Sequence, residues 1–97
     1  MLLIRDVFKA KPGKAKNLVS TMKQAIPFME AEGFSNIKVM TDVVSNYWTV
    51  VVQTEVESLA HFEAKVSGFS SKPQLDEIMK GYIDNIEGGH REIFKIE

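Results

Sequence analysis

Residues 47–56, which read YWTVVVQTEV, constrain the fold more than any other stretch of this chain. Successive side chains of a strand point to opposite sides of a sheet, so a strand here directs Trp48 and every second residue after it to one face. Tyr47 and every second residue after it point to the other face. Both faces would then be largely apolar. Each face therefore needs a cover, while a chain of 97 residues builds only one modest core.

The hydrophobic pattern predicts a single domain, residues 1–97, in the order strand, helix, strand, strand, interrupted helix, strand. This order is typical of the ferredoxin-like α+β fold, in which a four-stranded antiparallel sheet carries its helices on one face. The predicted strands are 1–9, 34–41, 47–56 and 90–97. The first predicted helix spans about 12–32, bends at Pro27 and ends at Gly33. The second predicted helix is split into 57–66 and 71–86, because Ser67-Gly68 interrupt it, and it ends at Gly88-Gly89.

The second face of the sheet has no cover in this arrangement. Burial of apolar surface is worth roughly 25 cal/mol per Å², and a domain of this size needs that stabilisation. A second copy of the chain would supply the cover through an isologous two-fold interface, the commonest kind in homo-oligomers. We therefore expect a homodimer that forms through the sheet face.

Composition narrows the classes of partner. The net charge is −1 and the pI is near 6.1, which argues against a nucleic-acid partner, because such binding depends on neutralising phosphates. The absence of cysteine excludes disulfides, thiol nucleophiles and thiolate metal sites. No apolar stretch approaches the length of a membrane span, and the N-terminal MLLIRD lacks the features of a signal peptide. We expect a cytoplasmic protein with no membrane partner.

Motifs for common cofactors are missing from the sequence. It contains no P-loop, no dinucleotide fingerprint, no GxSxG and no zinc pattern. His61 and His90 share no metal-ligand spacing with each other or with a carboxylate. We therefore expect neither a cofactor nor a metal ion.

Two charged residues, Arg5 and Asp6, interrupt the apolar first strand and must face opposite sides of the sheet. A buried charge is costly unless it is paired, so at least one of them should have a partner such as Glu55, Arg91 or Glu92. A structural ion pair is the favoured interpretation. The alternative is a polar anchor or an acid–base group in a ligand cleft. The sequence does not decide which of the two faces the helices.

Trp48 and Tyr82 are the aromatic candidates for a ligand pocket, because an aromatic body with a polar tip can both pack and orient a ligand. Trp48 is expected on the apolar side of its strand, and Tyr82 on the buried stripe of the last helix. The two side chains could therefore meet between sheet and helices. Plain core packing is the favoured interpretation, and ligand contact is the alternative.

His61 is a further ligand-binding candidate, because histidine changes its charge near neutral pH. With about 100° per helical residue, it lies opposite the stripe that contains Phe62 and Val66. Helical spacing therefore predicts that His61 faces solvent.

Four short motifs give the chain a resemblance to a known superfamily. They are AKPGK at 10–14, EGF at 32–34, VESLAHFEA at 56–64 and GGHREIFKIE at 88–97. In their order and spacing, the chain resembles the dimeric α/β-barrel superfamily of ferredoxin-like domains, especially its NIPSNAP-like and antibiotic-biosynthesis-monooxygenase-like members. The resemblance implies two sheets paired as a dimeric α/β barrel, with a substrate pocket between the sheet and the helices of each subunit.

The same resemblance implies several functions. Enzymes of this superfamily include cofactor-independent monooxygenases that act on aromatic polyketides or quinols, haem-degrading oxygenases and lactone isomerases. The haem-degrading members carry an Asn on the first strand and a His after the second helix, and this chain lacks both in the matching places.

The remaining expectation is a cofactor-independent monooxygenase acting on a small aromatic or quinol-type molecule. In that interpretation Trp48 and Tyr82 hold the substrate, and Asp6 or Arg5 polarises a phenol. The alternative is a non-catalytic module that binds a small molecule or serves assembly.

Overall fold

The computed structural model describes residues 1–69 and 73–97 and confirms an α+β chain. Strands and helices follow one another in the predicted order, although several bounds differ. The strands are β1 (Leu2–Ala10), β2 (Ser35–Thr41), β3 (Thr49–Val56) and β4 (Ile86–Lys95), and the helices are α1 (Ala15–Ala31), α2 (Leu59–Phe69) and α3 (Pro73–Met79), with a 3₁₀ turn at Tyr82–Asn85.

The four strands form one antiparallel sheet in the order β2-β3-β1-β4. The central strands β1 and β3 pair from Leu2 opposite Val56 to Lys9 opposite Thr49. β1 also pairs with β4, with a register shift after Lys9. This strand order and these crossovers confirm the ferredoxin-like fold.

The core lies between the sheet and the helices, on the face formed by the even-numbered residues of β1 and β3. Val50 clusters there with Leu18 and Met22 of α1. Towards the other end of the sheet, Ile4 clusters with Phe34. All five side chains are buried, so one side of the sheet is covered by the chain itself.

The opposite side of the sheet, called the outer face below, carries the odd-numbered residues of β1 and β3. Charged side chains lie among the apolar ones, and Arg5 is the clearest example. The apolar members, placed by strand register, are Leu3, Val7, Met40, Val51 and Phe94.

β3 begins at Thr49, later than the sequence predicted. Trp48 has a φ of +65°, a left-handed conformation outside the strand region. The predicted alternation is confirmed from Val50 to Val56, whose even-numbered residues are all buried. It does not extend to Trp48 and Tyr47, which are 43% and 82% exposed in the β2–β3 connection.

α1 contains Pro27 within its length, and it starts later than predicted because Pro12 and Gly13 form a turn before it. Its predicted end is confirmed. Gly33 has a φ of +93°, which glycine adopts without a clash of Cβ.

The second helical region differs more from the prediction. α2 continues through Ser67-Gly68, which were expected to interrupt it, and Ser71 lies outside the described residues. α3 ends at Met79, and the predicted last helical turns are replaced by the 3₁₀ turn. The reason is strand pairing, because Ile86 is already opposite Ala10 of β1 and must be extended.

Gly88 and Gly89 lie inside β4 and do not end a helix. Gly89 is opposite Phe8, and a Cβ at this position would come within 2.5 Å of the carbonyl oxygen of Val7. The close approach of β1 and β4 at this point therefore requires glycine.

Candidate functional site

A cavity of about 390 Å³ lies between the sheet and the helices. Its volume falls within the range of roughly 300–1,000 Å³ that is typical of small-molecule sites. Most lining side chains are apolar, and three are charged. They are Ile4, Asp6, Phe8, Val52, Thr54 and Arg91 from the sheet, Met22, Ala25 and Met29 from α1, and Phe34, Phe62, Val66, Leu75, Asp76, Met79 and Tyr82 from the other elements.

Asp6 and Arg91 form an ion pair in the wall of this cavity. They are directly opposite each other on β1 and β4. Arg91 donates from Nε to Oδ1 at 2.5 Å and from Nη2 to Oδ2 at 3.1 Å. Two hydrogen bonds between a guanidinium and a carboxylate are charge-assisted and fix both groups in orientation. The expected ion-pair partner is therefore present, and Asp6 is the residue that faces the helices.

Arg91 also contacts the aromatic ring of Phe62. Its guanidinium carbon lies 5.1 Å from the centre of this ring, which is within the range of a cation–π contact. The hydrogen bond to Asp6 is the main cause that raises the pKa of Arg91, and the charge of Asp6 adds to it against the opposing effect of burial. Arg91 is thus a fixed positive charge held between Asp6 and Phe62.

Arg5 lies on the outer face and does not line the cavity. Its Nη1 donates to Oε1 of Glu92 at 2.9 Å, and Nε2 of His90 lies 3.2 Å from Oε2 of the same carboxylate. The hydrogen bond from Arg5 is the main cause that lowers the pKa of Glu92, and the contact with His90 is the second. Of Arg5 and Asp6, only Asp6 reaches the cavity.

Trp48 does not meet Tyr82 in the cavity, so that expectation is wrong. Trp48 lines a separate open groove together with Tyr47 and Lys16. Its carbonyl oxygen accepts a hydrogen bond of 2.7 Å from the backbone N–H of Ala10. The left-handed backbone at Trp48 takes its side chain out of the alternation of β3, whereas Tyr82 lies where a pocket residue was expected.

His61 is half-buried, and the expectation of a solvent-facing histidine is wrong. Its Nε2 lies 3.1 Å from the carbonyl oxygen of Glu32, and its ring packs edge-on against Phe34 with centroids 6.4 Å apart. A Cβ on Gly33 would come within 2.9 Å of Nε2. The Phe62 ring packs against the same Phe34 ring, so His61 does not lie on the opposite side of α2 from Phe62 as helical spacing predicted. His61 is not among the residues that line the cavity.

Residues 1–69 and 73–97 contain no group of three or more His, Asp or Glu side chains that could hold a metal ion. His90 has Glu92 as an acidic neighbour at 3.2 Å, and both lie on the outer face. None of the helices in these two segments is long and apolar enough to cross a membrane.

Sequence reasoning missed part of the cavity lining. Arg91 was expected only as an ion-pair partner, and Asp76 and Thr54 were not considered. The alternation of HREIFKIE places Arg91 on the same face as Ile93, which is a usable signal. The register between β1 and β4 has no such signal, so the sequence alone does not place Arg91 opposite Asp6.

No protein-family model matches the sequence, and no curated protein matches it either. Solved structures do match the fold. An uncharacterised NIPSNAP domain protein from Burkholderia xenovorans has a TM-score of 0.83 at 12% identity, over 100% of this chain and 95% of that one. A NIPSNAP family protein from Agrobacterium tumefaciens has a TM-score of 0.85 at 9% identity, over 99% and 92%. A candidate antibiotic biosynthesis monooxygenase from Deinococcus radiodurans has a TM-score of 0.75 at 11% identity, over 100% and 93%.

These three structures share their fold with this chain along almost its whole length. The resemblance indicated by the four sequence motifs is thereby confirmed at the level of the fold. The identities of 9–12% carry no information about activity.

Proposed function

We propose that this chain is a homodimeric, cofactor-independent monooxygenase that oxidises a small aromatic molecule of the quinol type. The observation that carries the proposal is the ion pair between Asp6 and Arg91 in the wall of a largely apolar cavity. A ligand with an aromatic body and a polar end needs such a combination, because the lining supplies affinity and the charged pair supplies orientation.

The apolar lining suits one or two aromatic rings. Phe34 and Phe62 meet edge to face with centroids 6.2 Å apart, and a ligand ring can extend this arrangement. Met22, Met29 and Met79 also line the cavity. Their flexible side chains and polarisable sulfur atoms adapt to rings of different shape.

The ion pair suits a phenol. The Asp6 carboxylate can accept a hydrogen bond from the phenol O–H, and the guanidinium that Asp6 holds can stabilise the phenolate that forms when the proton leaves. Tyr82 lines the same cavity, and its hydroxyl can hydrogen-bond to the second oxygen of a quinol.

A quinol can supply the electrons for its own oxidation. In the overall reaction, one quinol and one O₂ give one hydroxyquinone and one water. One oxygen atom enters the ring, and the other leaves as water with two hydrogen atoms that the quinol has lost. No external reductant is consumed. Stabilising the phenolate promotes the reaction, because the deprotonated ring gives up an electron to O₂ more readily.

Similarity to other proteins supports the reaction class. The Deinococcus radiodurans protein with this fold is a candidate antibiotic biosynthesis monooxygenase. The four motifs of this chain resemble the same superfamily. The cavity and its ion pair, in turn, support the class of substrate.

We also propose that two copies pair through their outer faces. Phe94 is 50% exposed on this face and lies opposite Leu3 of β1. Full burial of an apolar side chain of this kind is worth roughly 1.5–3 kcal/mol. Arg5 and Glu92 neutralise each other on the same face, so pairing would not bury either of these two charges without a partner.

A non-catalytic binding module is the second candidate, and one observation favours it. Both carboxylate oxygens of Asp6 already accept hydrogen bonds from Arg91, whereas a general base must be free to take a proton. In the described part of the chain, every buried side-chain nitrogen or oxygen has a hydrogen-bond partner. A pair that is satisfied in this way can orient a ligand without reacting.

Oxygen consumption separates the two candidates. The purified protein is mixed with a panel of substituted hydroquinones and naphthalene-1,4-diols, and O₂ uptake and hydroxyquinone formation are followed above the spontaneous rate. We expect protein-dependent uptake with at least one diol, a fall of roughly 100-fold in Asp6→Asn, and no change in Trp48→Phe. Binding of the diols without uptake would identify a binding module. Neither binding nor uptake across the panel would contradict both candidates.

A further inference from the structure

Among the residues that the structure describes, three charged side chains line the cavity, namely Asp6, Asp76 and Arg91. Asp6 and Arg91 cancel each other's charge, because two hydrogen bonds join them. Asp76 has no ion pair with any residue of the segments 1–69 and 73–97. Within the described lining, one negative charge is therefore uncompensated.

Asp76 marks a place where the cavity meets solvent. It follows the buried Leu75 on α3, and it is exposed although it lines the cavity. A bound ligand thus has the Asp76 carboxylate near one of its ends. Apolar walls screen charge less than water does, so a carboxylate on the ligand would be repelled more strongly here than in free solution.

Arg91 offsets this repulsion only in part. It is the cation of the described lining, and two hydrogen bonds, from Nε and Nη2, already pair its charge with that of Asp6. The remaining N–H groups of the guanidinium can still donate to a ligand oxygen. A ligand carboxylate placed there would nevertheless be a third negative charge beside Asp6, Asp76 and a single positive charge, and an excess of one sign is costly in a largely apolar cavity.

We infer that the cavity selects neutral hydroxylated aromatic molecules over analogues of the same shape that carry a carboxylate, and that Asp76 sets this discrimination. The inference rests on the ligand site proposed above and narrows its substrate class to an uncharged phenol or quinol. Asp76 is a specificity residue at the open end of the cavity, and the oxidation itself does not involve it.

Two ligands of nearly equal size isolate the effect of charge. The probes are 6-hydroxy-2-naphthamide, which is neutral, and 6-hydroxy-2-naphthoate, which carries a carboxylate in place of the amide. Both keep the same phenol at the far end of the rings. Titration calorimetry with the full-length protein gives a dissociation constant for each probe, and the ratio of the two constants measures the discrimination.

Two variants test whether Asp76 causes the discrimination between the two probes. Asp76→Asn removes the charge that lines the cavity. Glu77→Gln removes the same charge from the next residue of α3, which is exposed and is not among the lining residues. Both positions are on the surface, so both variants should fold. Circular dichroism confirms that they do.

We expect the wild-type protein and Glu77→Gln to bind the amide roughly tenfold or more tightly than the carboxylate. In Asp76→Asn the affinity for the carboxylate probe should rise by most of this tenfold factor, while the affinity for the amide probe should stay unchanged. High salt should reduce the wild-type ratio, because an exposed charge is screened.

The possible failures are distinct from one another. Equal binding of both probes by the wild-type protein, or an unchanged ratio in Asp76→Asn, would overturn the inference and leave the proposed site intact. Binding of neither probe by any of the three proteins would overturn the proposed site and the inference with it.

Discussion

Asp6 and Arg91 face each other across adjacent antiparallel strands and are joined by two hydrogen bonds on the side of the sheet that the helices cover. A short distance along β1, Ile4 belongs to the buried core. The charged pair therefore interrupts an otherwise apolar layer in the wall of the cavity. Removal of one partner would leave the other charge in this layer without compensation. We therefore expect the change to be measurable in both folding and ligand binding.

Asp6→Asn should lower the free energy of unfolding by about 0.5–1.5 kcal/mol, because Arg91 loses a charged acceptor while solvent screens part of the interaction at its half-exposed side chain. Urea denaturation followed by circular dichroism measures the change. Glu77→Gln is the matched control, since it removes an exposed carboxylate, and it should stay within about 0.5 kcal/mol of wild type. Equal stability of Asp6→Asn and wild type would contradict this prediction and show that the ion pair does not stabilise the fold.

Glu92 should make stability depend on acidity. Its pKa is lowered below the ordinary value of 4.5, mainly by the hydrogen bond from Arg5 and then by His90. A carboxyl whose pKa is lower in the folded state contributes stability above its unfolded pKa, and this contribution is lost as the pH falls through the folded value. The stability difference between wild type and Glu92→Gln should therefore be present above pH 4.5 and shrink below it.

Thermal unfolding at fixed protein concentration over this acid range provides the measurement. Glu77→Gln serves again as the control, and its thermal stability should change with pH in the same way as that of the wild type. A wild-type advantage over Glu92→Gln that grows as the pH falls would contradict the assigned direction of the pKa shift.

Gly33→Ala should lower stability through two separate effects. The φ of +93° costs an L-residue about 1–2 kcal/mol, and the new Cβ would meet Nε2 of His61 at 2.9 Å. His61→Ala removes the second effect only. In a double-mutant cycle measured by urea denaturation, Gly33→Ala should thus cost less in the His61→Ala background than in wild type. Equal costs in both backgrounds would mean that the histidine ring moves aside freely.

Phe94→Asp should convert the proposed dimer into folded monomers, because it places a charge in the proposed apolar contact between outer faces. Sedimentation velocity measures the mass, and circular dichroism confirms the fold. Ile83→Asp is the control, since Ile83 is 64% exposed on the 3₁₀ turn, away from the outer face. The control should stay dimeric. A wild-type chain that already sediments at 10.9 kDa would contradict the dimer.

The sheet could be predicted from local sequence because strand alternation is a local property. Val50 and Val56 are buried on the same face, as the two-residue period requires. The same period failed at Trp48 because it assumes an extended backbone, and the φ of +65° there breaks that assumption. Nothing in a run of β-favouring residues signals a left-handed residue at its start.

The site could be predicted only in part because it depends on contacts between distant segments. The presence of an ion pair at Asp6 followed from the cost of burying its charge. Its partner depended on the register between β1 and β4, which local pattern does not reveal. The extended backbone at Ile86 likewise follows from its pairing with Ala10, a tertiary requirement that overrides helical periodicity.

The most direct test of the account is a crystal structure of the protein soaked with 2-naphthol. We predict electron density for the two rings between the sheet and α1, with the hydroxyl oxygen within about 2.6–3.2 Å of the carboxylate of Asp6 or the guanidinium of Arg91. An empty cavity at saturating ligand, or density only in the groove beside Trp48, would contradict it.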